Sequence, residues 1–167
     1  NKKAISKSKM IKTFRGLLTD GQQERIRLQT LDGKQGYRII KFALLPNNPG
    51  TETPESVVKI YSIKQTVIDA VINFSDGTLL SAGLYHGEDT PNYPQDSIVI
   101  FDRVTFNQDI FVTHKNTQAA TSMNYYLELE TVSLDDVEAT AVILKNFRNT
   151  NTTAWALQST ILNWIGS

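Results

Sequence analysis

The stretch "GYRIIKFALLP", residues 36–46, is the longest nearly unbroken apolar run in the chain. Ile39, Ile40, Phe42, Ala43, Leu44 and Leu45 put apolar side chains on both parities, which predicts a β-strand covered on both faces. Pro46 has no N–H to give to a ladder and marks the exit. The run therefore reads as the central strand of a β-sandwich.

Turn signals frame the strands around it. Phe14–Thr19 reads as a short strand ending at the turn pair Asp20-Gly21. Residues 25–29 alternate polar and apolar, as a strand with one wet face does. Asp32-Gly33 then turns the chain into the long run. Beyond Pro46, "NNPGTETPES" (47–56) has no period and predicts a long loop. Further strands are expected at Val57–Ser62, Val67–Phe74, Leu79–Tyr85, 97–104, 109–114 and 123–132. Gly83 marks a bulge or a close approach. The loop "HGEDTPNYPQD" (86–96) carries Tyr93, and "KNTQAATS" (115–122) is a third polar loop. Roughly nine strands with a turn signal every ten or so residues predict a mainly β chain. The expected fold is an antiparallel β-sandwich or jelly roll with one C-terminal helix and extended termini.

The helix is expected to open at Ser133, with Asp136 at capping-box spacing, and to bury Leu134, Val137, Ala141, Leu144 and Phe147. Three parts follow: a basic arm (1–15), a sandwich domain ending in the helix (16–148) and a tail (149–167). The arm holds Lys2, Lys3, Lys7, Lys9, Lys12 and Arg15 and no acid. It reads either as a solvated terminus or as an arm lying on an acidic neighbour or on phosphates. Past the linker "NTNTT", the tail predicts a short amphipathic segment with Trp155, Ile161, Leu162 and Trp164 as its apolar set. That segment caps the domain's own core or docks on a neighbouring subunit.

Composition narrows the functional classes. The 167 residues suit one domain, large enough to bury a core without staples. With no cysteine, disulfides and thiolate metal sites are excluded. Seventeen basic residues balance seventeen acidic ones, which argues against a nucleic-acid binder that uses its whole surface. It leaves little repulsion between copies, which suits association. No apolar run approaches the roughly 18–20 residues of a membrane span and no secretory h-region is visible, so solubility and no membrane partner are expected.

Catalytic patterns are weak, and no enzyme is expected. No serine sits in a G-x-S-x-G elbow, and His86 and His114 are the two histidines. His86 with Glu88, Asp89 and a distant His114 would make a sensible ligand set, but no H-x-H or H-x₃-H spacing supports it, so no metal or cofactor is assigned. Glu128 and Glu130 share a strand face about 7 Å apart, a spacing ordinary on surface strands. Among the tyrosines, Tyr93 and the neighbouring His86 are the candidates for loop recognition, the basis of a glycan-binding reading.

The segments "GYRIIKF", "NPGT", "VVKIY", "NFSDGTLLSAG", "TFNQDIFVTH", "NYYLELE" and "ATAVILKNFR", in this order across residues 36–148, resemble small virion structural proteins of marine tailed bacteriophages, cyanophages and pelagiphages among them. The resemblance implies a non-enzymatic protein present in many copies on a virion, assembled in the host bacterial cytoplasm. A neutral, cysteine-free sandwich fits a capsid decoration (cement) protein on the capsid surface. Its partners would be the major capsid protein and further copies of itself, as a homo-oligomer. The expected contacts are Lys9, Lys12, Arg15, Trp155 and Trp164. Contact of the basic arm with packaged DNA is a less favoured expectation. The alternatives are a head–tail connector or tail component and a carbohydrate-binding module for host-surface glycans.

Overall fold

The structure is a computed structural model and describes residues 9–49, 55–87, 96–118 and 120–145. Among these residues eight strands build two antiparallel sheets: β1 (Ile11–Leu18), β2 (Gln23–Ile26), β3 (Gln35–Pro46), β4 (Glu55–Tyr61), β5 (Leu79–His86), β6 (Asp96–Ile100), β7 (Ile110–Asn116) and β8 (Met123–Ser133). A helix, α1, covers 136–145. One sheet has the order β1-β8-β3 and the other β2-β7-β4-β5-β6. A jelly roll folds a long hairpin so that strands pair first with eighth, second with seventh, third with sixth and fourth with fifth. Here β1–β8, β2–β7 and β4–β5 are all present. The remaining rung is reduced to one antiparallel bridge from β3 to the chain just after β6, Tyr37 N to Phe106 O at 2.8 Å and Phe106 N to Tyr37 O at 3.0 Å. β6 instead extends the free edge of β5. The chain is thus an antiparallel sandwich with jelly-roll winding and one C-terminal helix.

The run at 36–46 is a strand, but an edge strand of its sheet; β8 lies at the centre. The run's apolar residues fall on both parities because of a β-bulge. Ile39 pairs with Leu129 and Lys41 with Glu128, leaving Ile40 as an extra residue. Before the bulge Tyr37 and Ile39 point inward, and after it Phe42 and Leu44 do, all buried, while Ile40 and Leu45 are exposed. Apolar residues on both parities therefore record a change of phase, not two covered faces. The clean alternation of β8 puts Met123, Tyr125, Leu127 and Leu129 into the core.

Between the sheets these residues meet Leu18, Ile26, Val58, Ile60, Leu80, Ile110 and Val112 in one cluster. At Gly83 the sheets pack closely: a Cβ there would lie 2.8 Å from Leu44 Cδ1 and 3.2 Å from Phe42 Cε1. Gly16 leaves room in the same way for Glu24 and Tyr125. Burial and the Glu24 carboxylate push the Tyr125 hydroxyl far above its ordinary range. The two expected turns hold Gly21 and Gly33 at φ 76° and 65°, where a side chain would strain the backbone.

Two further expectations change. Val67–Phe74 is not a strand; residues 62–78 form an irregular segment laid over the outer face of the five-stranded sheet. Lys59 explains why. It points outward from β4, is only 3% exposed, and donates to Asp69 Oδ1 (2.9 Å) and Val71 O (2.6 Å). A buried ammonium requires such partners, and the segment folds back to supply them. The second change concerns the helix. Its capping box is Asp135 with Glu138, not Ser133 with Asp136: Asp135 N donates to Glu138 Oε2 (3.0 Å) and Glu138 N to Asp135 Oδ1 (2.8 Å). Leu134 precedes the helix and packs on Gly36. Ala139 becomes the buried helix residue, while Val137 and Leu144 stand 78% and 54% exposed. Phe147 and the tail lie outside the described residues.

Burial alone would lower the Lys59 pKa, but bonds to Tyr61 and Asp69 hold it above the ordinary lysine value of 10.5. The bond to Lys59 holds Asp69 below 3.8. The Asp69 contribution is therefore present above the unfolded carboxylate value and lost as pH falls through the folded one. The Lys59 contribution is present below 10.5 and lost as pH rises through its raised value. Lys59→Met is expected to raise proteolytic cleavage and hydrogen exchange within 62–78 at neutral pH; unchanged exchange would remove this role for Lys59. Gly83→Val should destabilise the fold by about 1–3 kcal/mol in chemical denaturation through overpacking against Leu44 and Phe42.

Candidate functional site

Three of the expected contact residues lie on or just before β1, and two of them, Lys9 and Arg15, stand on the outer face of β1-β8-β3. Lys9 Nζ pairs with Glu130 Oε1 at 2.8 Å, and Arg38 Nη2 reaches Glu130 Oε2 at 2.8 Å. These two cations, Lys9 first, hold the Glu130 carboxyl below its ordinary range. Lys12 lies on the inward parity, donates to the Tyr37 hydroxyl at 3.3 Å and sits 5.3 Å from that ring's centre. Arg15 points outward from β1 opposite Tyr126. Residues 11–15 of the expected arm are thus strand, paired with residues 126–130 of β8. Lys12 serves the sandwich; Arg15 is open to a partner.

Further along this face the outward residues turn apolar. Leu17, Ala43 and Leu45 line a shallow depression of about 700 Å³ that spans the three strands. Leu17 and Leu45 are exposed. Arg15 and Lys41 border it, and neither has a carboxylate partner among the described residues. Lys41 Nζ lies 5.5 Å from the Tyr126 ring centre. Its cross-strand neighbour Glu128 accepts the Tyr126 hydroxyl at 2.8 Å. That bond raises the Tyr126 pKa.

The opposite face of the sandwich carries a second apolar surface. Val67, Val71, Ile72 and Phe74 are all exposed on the segment tied down by Lys59. Phe74 meets Phe101 edge to face at 5.3 Å, which fixes it above the small cluster of Tyr61, Leu79 and Ala82. Exposed apolar side chains this close in sequence, on an anchored segment, make a candidate interaction surface. Reading 67–74 as a strand hid these four residues. The signal that would have found them is the lone Lys59 in an otherwise apolar strand, which needs a carboxylate brought to it from outside the sheet.

The histidines separate. His114 is fully buried on β7. Its Nδ1 lies 3.1 Å from both Leu18 O and Thr19 O, and its Nε2 lies 3.0 Å from Ser56 Oγ. Two carbonyl acceptors place the proton on Nδ1, so Nε2 accepts from Ser56. Ser56 Oγ also receives Asn116 Nδ2 at 3.1 Å, and Asn116 Nδ2 donates to Thr121 Oγ1 as well. Asp20, at the neighbouring turn, accepts Asn116 N at 2.8 Å and pairs with Lys115 at 3.3 Å. His114 is therefore a structural hub that joins the end of β1 to β4 and β7. His86 ends β5 and is half-buried. Tyr93, Trp155 and Trp164, with Glu88 and Asp89, lie outside the described residues. Among the described residues no group of three metal-ligating side chains comes together. Among the described residues no helix is long and apolar enough to cross a membrane.

Comparison of the sequence with protein-family models and with curated proteins found no match. The surfaces themselves must carry the functional reading.

Burial lowers the His114 pKa below 6.5 despite the bonds to Thr19 and Leu18. The folded value lies under the unfolded one, so its contribution is present above about pH 6.5 and lost as pH falls through the folded value. His114→Gln should flatten the loss of stability as pH falls below about 6.5. An imidazole NMR titration of the native protein should keep His114 neutral below its ordinary value; titration at 6.5 or above would contradict the network.

Proposed function

We propose that the protein is a non-enzymatic structural component of a virion, a capsid decoration protein that binds the major capsid protein lattice in many copies. The observation that carries this reading is the presence of exposed apolar surfaces on opposite faces of one rigid sandwich: Leu17 and Leu45 on one, Val71 and Phe74 on the other. A module with two separated adhesive faces bridges neighbours, and bridging repeated over a lattice sums modest contacts into resistance to internal pressure. The resemblance of residues 36–148 to phage virion proteins supports the same setting. Arg15, unpaired at the rim of one face, supplies a cation for an acidic neighbour. The ordered partners of Lys12, by contrast, assign it to the fold.

Copy number per particle tests the proposal. Quantitative mass spectrometry of purified virions should find the protein at hundreds of copies; a dozen would replace decoration with a ring-shaped connector or tail component. Val71→Glu with Phe74→Glu should reduce particle attachment at least tenfold while circular dichroism and the unfolding midpoint stay near the parent's. Full attachment by that variant would remove the 67–74 surface from the lattice contact.

A further inference from the structure

We infer that the protein associates with further copies of itself head to tail, with α1 of one copy seated in the depression between Leu17 and Leu45 of the next. Two unpartnered surfaces match in shape and charge. Val137, Ala141 and Leu144 follow helical spacing on the exposed side of α1, opposite the buried Ala139. They form a stripe about 10 Å long at 1.5 Å per residue. The depression crosses three strands, two spacings of about 4.8 Å, and so is about 10 Å wide. Its floor is Leu17, Ala43 and Leu45 and its rim is cationic, with Arg15 and Lys41 unpaired by carboxylates among the described residues. The first turn of α1 and the residue before it carry Asp135, Asp136 and Glu138, of which, among the described residues, only Asp136 meets a cation, Lys34 at 3.0 Å. An acidic apolar stripe thus faces solvent in one place and a basic apolar depression in another.

The two cannot meet within one chain. Leu134, immediately before α1, packs on Gly36 at one end of β3, whereas the depression lies at Ala43–Leu45 near the other. Eight residues of strand separate those positions by about 26 Å, more than the roughly 15 Å length of the ten described helical residues. The partner is therefore a second copy, and the contact joins two different surfaces. Such a heterologous contact either closes into a ring or propagates as a chain. It holds whatever particle the protein serves, and it leaves Val71 and Phe74 free for a different neighbour.

The test uses the full chain in sedimentation velocity over a concentration series at low and high salt. The parent should associate with rising concentration, several-fold more weakly at about 0.5 M salt than at about 0.05 M as screening removes the charge match. Leu45→Asp and Leu144→Asp should each weaken self-association at least tenfold with circular dichroism unchanged, and Val137→Asp provides a second probe of the helix. Each of the first two variants retains one intact surface, so mixing them should restore a complex that stops at one copy of each. A parent that stays monomeric at every concentration overturns the inference, including the case where residues 146–167 of the same chain cover the stripe. Association undiminished by both substitutions, or a mixture that fails to form the limited pair, overturns it as well.

Discussion

Ile40 has no partner of its own across the ladder to β8, and that one extra residue decides which side of β3 faces the core. Before it the odd-numbered residues point inward; after it the even-numbered ones do. Without the bulge, Phe42 and Leu44 would face solvent and Lys41 would enter the core, because a one-residue slip in a strand exchanges its faces. A second bulge at Leu80 on β5 serves the facing sheet, where Ile60 pairs with Ser81 and Tyr61 with Leu79. These two corrections bring Phe42 and Leu44 over Gly83, where the layers leave no room for a Cβ. They also set what the outside carries, since Lys41, Ala43 and Leu45 reach the surface only because Phe42 and Leu44 do not.

Much of the fold was legible in the chain because its signals are local. Gly21 and Gly33 adopt positive φ at the first two Asp-Gly pairs, and the alternation of residues 123–132 gives β8 its buried and open faces. What misled was non-local. The mixed parity at 36–46 looks the same whether a strand is covered twice or bulged once, and only the pairing with Leu129 and Glu128 separates the two cases. Residues 67–74 have strand composition, yet they serve the ammonium of Lys59, ten residues upstream of Asp69. The helix spacing of Val137, Ala141 and Leu144 is real, but Leu134 leaves the helix to pack on Gly36 and Ala139 takes the inner side.

The contact residues divide on the same basis. Clustered cations in the first fifteen residues suggested one arm, whereas the sheet sorts them by parity and partner. Lys9 neutralises Glu130, Lys12 serves Tyr37, and Arg15 remains at an open rim. Charge in the sequence thus overstates the charge available to a neighbour. Exposed apolar residues are understated, because a strand-like or helix-like pattern assigns them to the core by default. Here surfaces of both kinds belong to a scaffold in which the buried His114, Ser56 and Asn116 are joined by hydrogen bonds.

The pairing of β1 with β8 joins residue 11 to residue 130, close to the two limits of the sandwich. On a ribosome this makes the order of appearance consequential. β3 is complete at residue 46, but β8, which must lie between β1 and β3, begins only at residue 123. At about 5–20 residues per second, those intervening residues take about 4–15 s to emerge. Until then the three-stranded sheet has no centre, and the depression that spans it does not exist. A nascent chain therefore lacks this surface from the completion of β3 until β8 has emerged, so the depression forms only when the sheet closes.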